Sequence, residues 1–116
     1  MANFQGIGDF VGTYLGSYDG RNAQVVVVAG APGIVSFNSL FTVTFTDLDR
    51  NETYQGIATI PEAVVTHIMS DFQLDSIGGT GSVYWSRLFL HTWDISYLSG
   101  VSVWNNTEYG MSFTRV

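Results

Sequence analysis

The chain has no cysteine and no lysine, only 2 prolines, and little charge of either sign. Without cysteine there is no disulfide framework, no thiolate nucleophile and no sulfur-ligated zinc. Without lysine there is neither a phosphate loop with its Lys nor an amine for Schiff-base chemistry, so ATP, NAD and imine mechanisms drop away. The 4 basic residues, all arginine, face 10 acidic ones, giving a formal net charge of -6. Nothing here forms a basic stripe that could release nucleic-acid counterions or hold an anionic membrane surface. The longest apolar stretch, around VVVVAGAP, is far too short to span a bilayer as a helix. The opening MANFQGIGDF has neither a basic segment nor a continuous apolar run of the secretion-signal type, so a cytoplasmic location is expected.

What remains is rich in packing material. The 116 residues are 46% hydrophobic and 15% aromatic against 12% charged. One domain over residues 1–116, with apolar surface enough to offset the entropy of folding, is expected. The hydrophobic period is two almost everywhere. FVGTYLGSY, beginning near Phe10, reads as a strand, Asp19 and Gly20 as a tight turn, and AQVVVVA as the return strand. FTVTFT is the cleanest alternation: Phe41, Val43 and Phe45 share one face, and Thr42, Thr44 and Thr46 the other. Breaks are expected at GAPG, residues 30–33, and at Pro61. VVTHIMSDFQLD reads as one strand with Ile68, Ser70, Phe72 and Leu74 on a common face. TGSVYW continues into SRLFLHTW after a bulge or bend near Ser86, and GVSVWN and EYGMSFTR form a closing hairpin around Asn105 to Thr107.

The sum is about eight short strands and no credible long helix. An open sheet of this kind with so few charges would leave two edges free to pair with other chains, and closing the sheet removes them. A small up-and-down antiparallel β-barrel is therefore the expected fold, with a β-sandwich or jelly roll as the alternative. Gly12, Gly16, Gly56 and Gly110 fall inside strands, where a small barrel bends sharply. The recurrence of glycine with tyrosine in GTYLGSY, ETYQG and NTEYGMSF resembles the strand texture of lipocalin-like and avidin-like barrels. That resemblance covers strand rhythm and general length. It implies a barrel holding a small molecule and carries no residue role onto any position.

RLFLHTWDISYLSG concentrates the scarce ionisable groups among large apolar side chains. On an unbroken strand from Arg87 to Trp93, the side chains of Arg87, Phe89, His91 and Trp93 share one face, while Leu88 and Leu90, on the other, are the better core candidates. For acid–base chemistry the candidates are His91, Asp94 and Glu108. The alternative for the first two is structural, with His91 on backbone at a strand end and Asp94 capping the turn. His67 and His91 lack zinc-ligand spacing, and Asp47, Asp49 and Glu52 in DLDRNE depart from the calcium-loop pattern because Arg50 lies among them. Neither a metal nor a cofactor is expected.

The excess of aromatic over charged residues points to non-catalytic binding of a small, uncharged or weakly polar organic ligand in a barrel cavity. Tyr14 and Tyr54 would offer hydroxyls, Trp93 and Trp104 flat walls, and Arg87 or His91 a polar anchor. A cyclase- or isomerase-type barrel enzyme and a carbohydrate-binding or self-associating module are the alternatives. A homodimer, or else a homotetramer, is expected from the apolar residues on both faces of Arg87 to Trp93.

Overall fold

The computed structural model describes residues 2–30, 40–60 and 66–116. Among the described residues, nine strands follow a short 3-10 turn at Ile7–Phe10: β1 (Gly12–Tyr18), β2 (Arg21–Ala29), β3 (Leu40–Asp47), β4 (Glu52–Thr59), β5 (Ile68–Met69), β6 (Phe72–Ser76), β7 (Ser82–Leu90), β8 (Tyr97–Trp104) and β9 (Thr107–Arg115). Eight of them, all but β5, run round an antiparallel ring in chain order, and β9 returns to β1 through pairs from Tyr14↔Arg115 to Tyr18↔Met111. This closure makes the molecule a small up-and-down barrel rather than a sandwich. The two-residue β5 is additional. It pairs with β7 at Met69↔Leu88, in the register that β6 continues at Phe72↔Trp85.

Local chemistry sets the hairpins. Asp19 and Gly20 have φ of 49° and 84°, and Asn105 and Asn106 have φ of 52° and 60°. Two left-handed residues in succession match the right-handed twist of the flanking strands, and Asp, Asn and Gly tolerate that conformation best. Alternation then sends Val25, Val27, Phe41, Val43 and Phe45 inward, where they join Trp85, Leu74, Leu98 and Phe113 in one buried core. The middle of the barrel is filled by side chains.

Three sequence expectations change. Phe10 belongs to the 3-10 turn rather than to β1, because the Asp9 carboxylate accepts the backbone N–H groups of Gln5 and Gly6 at 2.6 and 3.2 Å and coils the segment. Phe10 is fully buried and closes one end of the barrel, with the Phe4 ring edge-on to it at 6.3 Å, and Ile7 and Ile95 pack against the same core. The strand from Arg87 stops at Leu90, where the chain turns back and the His91 N–H reaches Tyr97 O at 3.1 Å. Ile68 does not share a face with Phe72: Ile68 is exposed and Met69 buried, because the ladder is interrupted at Ser70 and Asp71. The same phase change occurs opposite, on β7, where Trp85 and Leu88 are both buried across a bulge at Ser86. Pro61 and the part of the GAPG break after Gly30 lie outside the described residues.

Tyr14 joins the plug to the barrel. Its ring is fully buried and its hydroxyl donates to Phe10 O at 2.7 Å. Burial pushes the phenol up to about 12, against a partial opposing effect of Arg115. Because the folded state keeps this proton after the unfolded chain has lost it, the associated stability is complete below about pH 10 and disappears as pH rises toward 12. Two units correspond to about 3 kcal/mol. Urea midpoints measured across this range should fall steeply for the native protein. Tyr14→Phe, weaker by about 1 kcal/mol at neutral pH for the lost hydrogen bond, should show a much shallower alkaline decline.

Candidate functional site

An up-and-down ring places the β1–β2, β3–β4, β6–β7 and β8–β9 turns at one end, opposite the Phe10 plug. Residues of inward parity next to those turns converge there, and they surround a cavity of about 270 Å³. Its floor is aromatic. Tyr18 and Phe45 lie 4.7 Å apart between ring centroids, and Tyr54 stacks on Phe45 at 5.8 Å with 22° between planes. Trp104 and Tyr109 stand at the lip, Trp104 being 58% exposed.

The polar groups of this mouth are charged and mostly paired. Asp47 continues the inward face of Phe41, Val43 and Phe45, and is 2% exposed. Burial of a carboxylate requires compensation, which Arg21 supplies from the neighbouring strand through Nε at 2.7 Å, while the Arg50 N–H donates to the other Asp47 oxygen at 3.1 Å. The Arg21 guanidinium also lies over the Tyr18 ring, 5.4 Å from its centroid. Tyr18 shares a hydrogen bond with Ser102 Oγ at 2.8 Å. Desolvation raises the pKa of Tyr18 and of Tyr54.

The acidic cluster of DLDRNE has definite structural employment. Asp49 accepts the backbone N–H and the side-chain amide of Asn22 at 2.9 and 3.3 Å, and Glu52 pairs with Arg50 at 3.2 Å on the surface. The Asn22 bonds tie the β3–β4 turn to the start of β2.

Of the ligand-contact residues expected from sequence, the structure brings Tyr54 and Trp104 together at the mouth. Tyr14 instead lies in the core beneath the plug. Arg87 and His91 project outward, and Trp93 is 77% exposed beyond the end of β7. His91 and Trp93 line an outer groove with Phe89, His67, Asp94 and Tyr97. Here the His91 ring stacks near Phe89 at 5.7 Å and its Nε2 meets Ser99 Oγ at 2.9 Å, while His67 Nδ1 meets Leu90 O at 2.7 Å.

Of the acid–base candidates, His91 and Asp94 line the same outer groove, and Glu108 is remote from both. Asp94 accepts the Ser96 N–H at 3.0 Å, the turn-capping bond that also lowers its pKa. Glu108 lies beside the β8–β9 turn, at the opposite end of the barrel from His91. Sequence reasoning missed Tyr18, Arg21, Phe45, Asp47 and Tyr109 as mouth residues. Their signal was present in strand parity, since Arg21 and Asp47 are charged residues at positions whose neighbours two residues away face the core. No family model, curated protein or solved structure matches this chain.

Proposed function

We propose that this barrel is a non-catalytic binding protein that takes a small, uncharged or weakly polar organic molecule into the open mouth. The observation that carries the reading is the asymmetry of the two ends: a buried aromatic plug closes one, and an aromatic-floored cavity with prearranged polar groups opens at the other. A flat ring would cover Phe45 and Tyr54 while exchanging exposed apolar surface at Trp104 for contact, the usual source of small-ligand affinity. A volume of about 270 Å³ suits one or two fused rings rather than a long chain.

The test is thermal-shift screening of neutral aromatic and heterocyclic compounds against three proteins. Ligands that stabilise the native chain should lose most of that shift with Trp104→Ala and keep it with Trp93→Ala. The reverse pattern would move binding to the outer groove and overturn the assignment.

A further inference from the structure

The mouth has more hydrogen-bond donors than the protein uses. Arg21 spends Nε on Asp47, and among the described residues its two Nη groups make no hydrogen bond, although its side chain is only 35% exposed. The Tyr54 hydroxyl, half-buried on the same lining, also has no partner among the described residues. Arg21 is held from two sides, by the buried Asp47 carboxylate and by the Tyr18 ring, so its free fork is oriented before any ligand arrives. A fixed donor of this kind loses little freedom on binding.

Charge restricts what that fork can receive. Asp19, Asp47 and Glu52 outnumber Arg21 and Arg50 around the cavity, and the chain as a whole carries -6. An anionic ligand would approach against this field, whereas a cation would meet the two guanidinium groups. A neutral acceptor oxygen meets neither objection.

We infer that the ligand is an uncharged ring compound bearing a carbonyl oxygen, which Arg21 binds through its free Nη groups. This rests on the mouth being the binding site and adds the chemistry of recognition. Arg21 is the specificity-determining residue, and the aromatic floor and Trp104 supply the contact area.

Coumarin, 2H-chromene, which has the same fused rings without the carbonyl, and coumarin-3-carboxylate separate the elements of the inference. Affinities are measured by calorimetry on the full chain. Coumarin should bind about tenfold or more tightly than chromene, the scale of a charge-assisted hydrogen bond, and the carboxylate should bind more weakly than coumarin. Arg21→Lys, which keeps a positive charge for Asp47 but not the fork, should bring the coumarin-to-chromene ratio close to one. Circular dichroism and thermal melting confirm that this variant is folded.

Equal affinities for coumarin and chromene in the native protein, an unchanged ratio in Arg21→Lys, or preference for the carboxylate would overturn the Arg21 inference. If Trp104→Ala nevertheless weakens both neutral probes, the mouth survives as the binding site. Failure of both neutral probes to bind the native protein would remove the mouth reading and the Arg21 inference together.

Discussion

Replacing Arg115 with Met should lower the unfolding free energy by about 3 kcal/mol, measured from urea midpoints at neutral pH. Arg115 is the second-last residue, yet its guanidinium holds the plug: Nη1 donates to Val11 O at 2.9 Å, Nη2 to Asp9 O at 2.6 Å and to Ile95 O at 3.1 Å, and Nε to Ile95 O at 3.3 Å. It also lies over the Tyr14 ring, 4.7 Å from the centroid. Three carbonyls lose a charged donor at once in the variant, while Met preserves most of the apolar stem, so the loss reports hydrogen bonding more than packing. Lysine should recover only a minor part, since one ammonium on a flexible chain cannot reproduce a fork that spans three acceptors. Ligand binding at the mouth should change little, because the plug is at the other end. An unchanged urea midpoint in Arg115→Met would show that the plug holds without its arginine.

The plug also shows what was hard to read in the chain. GIGDF has no period of two and no helical period, so its 3-10 turn left no pattern, and Arg115 near the terminus had no sequence partner to mark it. The strands were different. FTVTFT placed Phe41, Val43 and Phe45 inside by alternation alone, and Asp19-Gly20 marked its hairpin by turn chemistry. Closure into a barrel followed from the cost of free edges, a physical argument independent of any single residue. The phase changes at Ser70–Asp71 and at Ser86 had unequal visibility. VYW followed by RLFL puts too many large residues in succession for one phase, whereas IMSDFQL alternates plausibly in a phase that leaves Met69 outside.

The mouth was legible in principle. Once a meander is accepted, alternate turns must share one end, and inward parity can be counted back from each. The ionisable groups concentrated in RLFLHTWD lie outside instead, because the bulge at Ser86 turns Arg87 and His91 away from the cavity.

Gly16→Ala and Gly56→Ala should each cost about 3 kcal/mol, at the upper end of what overpacking a core produces, whereas Gly110→Ala should remain within about 0.5 kcal/mol of the native protein. All three glycines sit inside strands and look alike in sequence. In the folded barrel a Cβ on Gly16 would overlap the backbone of Ser112 and Phe113, and one on Gly56 the backbone carbonyl of Gln73. Both face inward where neighbouring strands curl closely, Gly16 opposite Phe113 and Gly56 opposite Leu74. A ladder cannot yield locally as the end of a flexible side chain can, so relief requires spreading the strands and loosening a packed core. A Cβ on Gly110 meets nothing within 4 Å on the exposed outer face, and alanine there even removes some chain entropy from the unfolded state. Gly100, not singled out by its sequence context, belongs with the first two, because its Cβ would strike the Arg87 carbonyl and the Met111 side chain. Thermal melts of the four alanine variants should separate Gly110 from the other three. A uniform small loss across all four would mean that the barrel wall relaxes more readily than close packing of its strands allows.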